Sequence, residues 1–317
     1  MLARGLVPAL FVALLGCGHS SVESECEGLT LEECTQSDGG IPDGGEPDGG
    51  DPDSGVPPDS SFVVDTDWLK EHLNDPNVQL IDTRSSGYGT SRIPGAIHLR
   101  PGELAATVDG VPSQVAPPMQ AEPVLRAKGL RNDVIAVVYG EPNEYDPSRV
   151  VWTLSYYRHG DVRYLDGGYA AWVDAGGELD TEPPGVEESD YTINGVDDGL
   201  RVTGEWVLEQ LGEAPYAMPA IQLVDARSEG EYANGRIPTA RSVNWTRNLQ
   251  SGFLLPESDL EALYEGVDPS QTTVTYCVTG WRGSFAWLTL TALGYEDVRL
   301  YDGSWSEWGN GDFPVEQ

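Results

Sequence analysis

One cysteine of this chain lies in a stretch suited to nucleophilic chemistry, Tyr276-Cys277-Val278-Thr279-Gly280-Trp281-Arg282-Gly283-Ser284. Ahead of it, Thr272 to Tyr276 is β-branched and aromatic, which predicts a short strand, and behind it Ser284 to Leu293 is apolar enough for a buried helix. Cys277 then stands at the carboxyl end of a strand in a strand–loop–helix unit. At that edge of a parallel sheet the loop amides and the positive end of the next helix face the crevice where ligands bind. A thiol so placed is expected to ionise below its free value of ~8.5 and to act as a thiolate nucleophile. Gly280 lets the loop curl, and Arg282 adds a permanent positive charge. The competing reading of Cys277 is a small buried core residue; the polar, glycine-containing loop around it argues against that.

The loop is followed by Leu293-Gly294-Tyr295, Asp297-Val298-Arg299 and Tyr301-Asp302-Gly303-Ser304-Trp305-Ser306-Glu307-Trp308. Taken together, these segments resemble the active-site half of a two-domain rhodanese, the thiosulfate and 3-mercaptopyruvate sulfurtransferase family. The resemblance implies an α/β fold of two tandem rhodanese-like domains, each a mostly parallel sheet flanked by helices. It also implies double displacement: Cys277 takes the outer sulfur of an anionic donor as a persulfide, Val278, Thr279, Gly280, Trp281 and Arg282 cradle the added charge, and a thiophilic acceptor such as cyanide or a thiol removes it. No metal or organic cofactor is needed. Neither loop composition usual in the family, basic residues or Gly-Ser after the cysteine, is present, since Val278 and Thr279 stand there. As the only certain cation of the loop, Arg282 inclines the donor toward thiosulfate.

Two other functions compete. A dual-specificity phosphatase needs Cys-x5-Arg, whereas here Arg282 comes one position too early and Gly283 occupies the sixth place after Cys277. The shorter loop suits one sulfur better than a tetrahedral phosphoryl group. A non-turnover sulfane-sulfur carrier is the second rival, and the loop does not separate it from an enzyme. All four histidines, His19, His72, His98 and His159, precede the half that holds Cys277, which weighs against a Cys–His hydrolase.

The elements that must position this loop come as a repeat. Leu80-Ile81-Asp82-Thr83-Arg84 returns as Leu223-Val224-Asp225-Ala226-Arg227, Arg92-Ile93-Pro94 as Arg236-Ile237-Pro238, and Asp161-Val162-Arg163 as Asp297-Val298-Arg299. Residues 62–184 and 199–317 are therefore two α/β domains joined by a surface linker, 185–198. Asp65 and Thr203 stand where helix N-caps are wanted. Gly140 falls opposite Cys277, in a loop carrying Glu141, Glu144 and Asp146 and no thiol. Such a loop repels anions, so the first domain is expected to be catalytically inactive. Asp225 and Arg227 recur as Asp82 and Arg84 in that inactive half, which reads as a structural ion pair supporting the loop. Trp245, Trp281 and Trp305 are candidates to wall the cleft, with plain core as the alternative for the first and last.

Charge and leader set the address. The chain has 317 residues and a net charge of −34, which excludes nucleic-acid or anionic-membrane binding through charge. Arg4, the apolar run Leu6 to Leu15 and Leu14-Leu15-Gly16-Cys17 resemble a bacterial lipoprotein signal, with residues 1–16 removed and Cys17 lipidated. Residues 17–61 repeat Pro-Asp-Gly-Gly and form an acidic tether without a core. In an oxidising compartment Cys26 and Cys34 are placed to form a disulfide. The expected protein is thus a monomer, exported, held to the cell envelope (periplasmic or outer-membrane face) by lipid alone, and served by a small anionic sulfur donor and a thiophilic acceptor.

Overall fold

The computed structural model describes residues 62–182, 185–216 and 219–317, all within one compact unit, Gly49–Gln317. Residues 1–16, expected as a signal segment, residues 17–61, expected as a tether, and with them Cys17, Cys26 and Cys34 lie outside the described residues.

The first half runs β1 (Val63–Val64), α1 (Thr66–His72), β2 (Val78–Asp82), β3 (Ile97–His98), β4 (Ala105–Val108), β5 (Val111–Val115), α2 (Pro118–Ala127), β6 (Ile135–Tyr139), α3 (Asp146–Tyr156), β7 (Asp161–Leu165) and α4 (Gly168–Asp174). Its five-stranded sheet has the order β1-β7-β6-β2-β3. Every pairing in it is parallel. The second half runs β8 (Arg201–Val202), α5 (Gly204–Leu211), β9 (Gln222–Asp225), α6 (Glu229–Ala233), β10 (Arg241–Ser242), β11 (Leu249–Gln250), β12 (Phe253–Leu254), α7 (Glu257–Leu263), β13 (Thr273–Tyr276), α8 (Trp281–Ala292), β14 (Val298–Tyr301) and α9 (Ser304–Trp308). Its sheet, β10-β9-β13-β14-β8, repeats the first order strand for strand. Two antiparallel hairpins, β4–β5 and β11–β12, stand outside the sheets. The protein is thus an α/β fold of two parallel-sheet domains flanked by helices.

Local chemistry explains the elements. The central strands β6 and β13 are almost wholly buried, as expected of β-branched runs covered by helices on both faces. Asp65 caps α1 by accepting from the Trp68 amide at 2.7 Å, and Thr203 caps α5 through the Trp206 amide at 3.3 Å. Helix α8 begins at Trp281, three residues before the Ser284 expected from hydropathy alone, because Gly280, in the left-handed region at φ +82°, ends the loop and starts the helix. The linker is more than a surface strap. Its Tyr191 is fully buried, and the Tyr191 carbonyl accepts from Arg126 Nε at 2.7 Å.

The two sheets share one core. Phe285, Ala286, Leu288 and Leu290 of α8 pack in the same cluster as Val150, Val151, Trp152 and Leu154 of α3. Where α3 and α8 meet, Ser148 Oγ and Ser284 Oγ, equivalent residues of the repeat, lie 3.2 Å apart. Each large apolar side chain buried there contributes about 1.5–3 kcal/mol, so the domains are joined as parts of one interior.

Candidate active site

In the second sheet Tyr276 pairs with Asp225, and in the first Tyr139 pairs with Asp82, so the residues that follow, Cys277 and Gly140, are structural equivalents. Cys277 sits one residue past β13 and is 1% exposed. Its own N–H points at Ser304 Oγ, 3.2 Å away, and its carbonyl accepts from the Trp305 amide at 3.0 Å, which ties the loop to α9. The Ser306 amide takes the Val278 carbonyl at 2.8 Å. Beyond Cys277, the N–H groups of Val278, Thr279, Gly280, Trp281, Arg282 and Gly283 have no acceptor among the described residues; the first amide bonded in the usual helical way is that of Ser284, to the Gly280 carbonyl at 2.9 Å. A run of uncommitted amides at a helix start is an anion cradle. A negative charge held this deep would have no bulk water to solvate it, and these dipoles are the groups placed to do so.

Arg282 departs from expectation. Its guanidinium is bound by Glu231 through two bonds of 2.8 Å each, so it is not a free cation. The hydrogen bonds to Glu231 hold Arg282 above its ordinary value, against burial, and charge and hydrogen bonding with Cys277 add to this. Reciprocally, Arg282 above all, with help from Ser228, pulls the Glu231 carboxyl down to about 2. The pair is therefore intact at any pH where the protein would be assayed. Glu231 also forms a capping box with Ser228 at the start of α6, and that Ser-x-x-Glu spacing was visible in the sequence, although its link to Arg282 was not.

The first domain reaches the site. Trp281 Nε1 donates to the Ser113 carbonyl of β5 at 3.1 Å. Tyr145 stands edge-on to Trp245 with ring centres 5.2 Å apart. Burial raises the Tyr145 phenol above its ordinary value, and the charges of Asp146, Arg282 and Cys277 also act on it. Among the tryptophans, Trp281 bridges the domains, Trp245 is 9% exposed and packs edge-on against Phe285 at 5.5 Å, and the Trp305 ring lies 4.2 Å from the Arg227 guanidinium.

Asp225 and Arg227 are buried and doubly hydrogen-bonded, at 2.9 and 2.6 Å among other contacts, and Arg227 also donates to the Gly235 carbonyl at 2.7 Å. Asp82 and Arg84 repeat this pairing, with Arg84 donating to the Ser91 carbonyl at 2.6 Å. The same geometry at the loop without a thiol marks it as part of the frame. Of the histidines, His98 bonds the Arg84 carbonyl at 2.9 Å, and His159 is held between the Val134 carbonyl at 3.0 Å and Tyr191. Among the described residues no group of three or more His, Cys, Asp or Glu is arranged to hold a metal ion.

The loop at Gly140 differs from its twin in a way that its acids only partly foretell. Glu144 accepts from the Glu141 amide at 3.3 Å, so the loop supplies its own anion, and Glu141 is drawn to Arg84 at 3.3 Å. A side chain on Gly140 would also collide with Pro147, whose Cγ lies 2.6 Å from the Cβ position.

The profile of the rhodanese-like domain matches residues 65–175 and 203–310. Among curated proteins, the sulfur carrier protein TtuD of Thermus thermophilus is 32% identical over 270 residues, covering 78% of this chain and 93% of its own length. A putative thiosulfate sulfurtransferase, SseA of Mycobacterium leprae, is 30% identical over 268 residues, with 78% and 88% covered. Among solved structures, SseA of Escherichia coli, described under 3-mercaptopyruvate sulfotransferases, superposes with a TM-score of 0.69 at 27% identity, covering 78% of this chain and all of its own. The match of both halves to one profile, the identity to these relatives and the repeated sheet order agree: the chain belongs to the rhodanese family, as a tandem of two rhodanese-like domains.

Proposed function

We propose that the protein is a sulfurtransferase that carries a sulfane sulfur from thiosulfate, or from 3-mercaptopyruvate, to cyanide or a thiol through a persulfide on Cys277. The observation that carries this reading is the buried thiol of Cys277 followed by a run of amides, Val278 to Gly283, with no acceptor of their own among the described residues. The thiolate attacks the outer sulfur of the donor; the sulfur–sulfur bond of thiosulfate breaks and sulfite leaves with the electron pair. Cyanide then attacks the terminal persulfide sulfur, thiocyanate departs, and the Cys277 thiolate returns. The amides stabilise the charge in both resting states without themselves needing a counter-ion. Asp225 and Arg227 serve as the frame below the loop. Since Glu231 already pairs with Arg282, the donor's charge falls chiefly to the amides, and thiosulfate against 3-mercaptopyruvate becomes a matter for direct assay.

The full chain is expected to convert thiosulfate and cyanide to thiocyanate and sulfite with ping-pong kinetics, and mass spectrometry after donor alone is expected to show one added sulfur on Cys277. Cys277→Ser removes both signals. Absence of thiocyanate from either donor sinks the enzymatic reading. The name of the Thermus relative, a sulfur carrier protein, favours a second reading, and a persulfide that forms without turnover selects it.

For the address, we propose export with a lipid on Cys17, from Leu14-Leu15-Gly16-Cys17 and the acidic repeat behind it. Cys17→Ser should release the protein from the membrane fraction; a wild type already wholly soluble rules the anchor out.

A further inference from the structure

In each domain the residue after the last strand of the parallel sheet, β7 or β14, is an aspartate, and each aspartate accepts an amide from the other domain's hairpin. Asp166 takes the Leu254 amide at 3.0 Å, and Asp302 takes the Val115 amide at 2.7 Å. The likeness ends there. Asp302 Oδ1 is also bound by Arg149 of α3, in the first domain, at 2.7 Å, and Arg201 Nε approaches Oδ2 at 3.5 Å without hydrogen-bond geometry. Counting back from Asp161 and Asp297, the residue equivalent to Arg149 is Phe285, so among the described residues the Asp166 carboxylate has no such cation and its only other hydrogen bond is from the Gly167 amide at 3.0 Å. Without an arginine, burial pushes the Asp166 carboxyl up to about 7.

Asp302 and Arg149 are both about as buried as the core, and they lie directly against the catalytic loop. A Cβ built on Gly280 would be 2.7 Å from Asp302 Oδ1, 2.9 Å from the Asp302 carbonyl and 3.1 Å from an Arg149 guanidinium nitrogen. A bare carboxylate there would set a negative charge beside amides that must solvate a thiolate and then a persulfide, with little solvent to screen it.

We propose that Arg149 is a positioning residue contributed to the active site by the first domain, holding Asp302 beneath Gly280 and cancelling its charge so that the amide cradle keeps its affinity for anions. This rests on the reading of Cys277 as the sulfur-accepting thiolate. On its other sides Cys277 is faced by Arg282, tied to Glu231, and by the neutral Tyr145 of the first-domain loop, on which Asp146 and Glu144 also act.

The test reads the thiol and not turnover: the rate of Cys277 alkylation by iodoacetamide in the full chain, followed by peptide mass spectrometry from pH 5 to 10, with the melting temperature of each variant. Arg149→Gln is expected to raise the alkylation midpoint by about one pH unit and so, at pH values below both midpoints, to slow the reaction about tenfold. Asp302→Asn is expected to move it the other way, because Arg149 is then uncompensated, and the double variant to return near the wild type. Arg149→Lys keeps the charge and should stay close to the wild-type midpoint while losing some thermal stability. If Arg149→Gln fails to fold, the downward shift in Asp302→Asn carries the test alone. Melting temperatures that fall while every midpoint stays put overturn the proposal and leave Arg149 a domain-joining residue. Failure of the wild type to form a persulfide removes the sulfur-transfer reading without touching this comparison.

Discussion

Gly280 offers a quantitative test of how tightly the loop is seated. Its φ of +82° already disfavours any side chain, at roughly 1–2 kcal/mol. A methyl group there also meets Asp302 Oδ1 at 2.7 Å and the Asp302 carbonyl at 2.9 Å, and forced overpacking of this kind costs about 1–3 kcal/mol more. Gly280→Ala is therefore expected to lose about 2–5 kcal/mol, a drop in melting temperature of about 5–15 °C for a unit of this size. Gly294 is the internal control. It lies past the other end of α8 with φ +78°, and nothing lies within 4 Å of where its Cβ would be, so Gly294→Ala should lose only the first ~1–2 kcal/mol. The assay is calorimetry on both variants, with persulfide formation on Cys277 measured well below the lower melting temperature. Gly294→Ala should load sulfur like the wild type, and Gly280→Ala should load it much more slowly. Equal losses of stability in the two variants would show that the Asp302 contact is loose, and the reasoning about the loop would fall with it.

Asp166 and Gly140 give two further expectations. Because burial raises the Asp166 carboxyl to about 7, the native state holds that proton more tightly than the unfolded chain, so the stabilisation is present below pH ~4 and lost as pH rises through 7, by at most about 4 kcal/mol. Asp166→Asn keeps an oxygen for the Gly167 and Leu254 amides and should flatten the melting curve between pH 5 and 8; parallel wild-type and variant curves would count against it. A cysteine at Gly140 must push aside Pro147 Cγ at 2.6 Å and Thr83 Oγ1 at 2.9 Å and compete with Glu144 for the loop amide. Gly140→Cys in a Cys277→Ser background should yield no thiocyanate, and measurable turnover would refute the account of the silent loop.

The duplication was legible because its landmarks are residue types with narrow roles: Asp82-Thr83-Arg84 and Asp225-Ala226-Arg227 hold the same two-sided ion pair at the same strand ends. Helix caps Asp65 and Thr203 were legible for the same reason, since a cap acts within three residues. Chemistry that depends on distant partners was not. Arg282 reads as a free cation until the fold brings Glu231 to it from α6. Arg149 sits in an apolar helix, which is a signal in itself, yet nothing local pairs it with Asp302, which follows β14 of the other domain. The start of α8 was missed because Trp281-Arg282-Gly283 carries no helical hydropathy, whereas the left-handed Gly280 that starts the helix is a backbone property. For the first loop the sequence offers acidic repulsion as the reason to expect silence, and the structure adds a more local one: Glu144 accepts a loop amide and Pro147 fills the space a side chain on Gly140 would need.

With a net charge of −34, the anionic donor proposed above would approach against the long-range field, so its capture would have to be local. Free arginines are the usual source, yet among the described residues Arg282 is committed to Glu231 and Arg149 to Asp302. Backbone amides are the remaining source of positive potential, and they suit a double displacement better. A free guanidinium would hold the thiosulfate dianion, the sulfite that leaves and any anionic acceptor alike, slowing each exchange. In the proposed double displacement, fixed amide dipoles arranged around one buried sulfur would act most strongly on the charge that stays with the enzyme, first on a thiolate and then on the outer sulfur of a persulfide. The paired arginines then have the task of fixing the walls of that cradle, one from each half of the duplicated chain. On this view the first domain keeps a place beside the second because Arg149, Ser113 and Val115 complete a loop that the catalytic half does not hold in shape by itself.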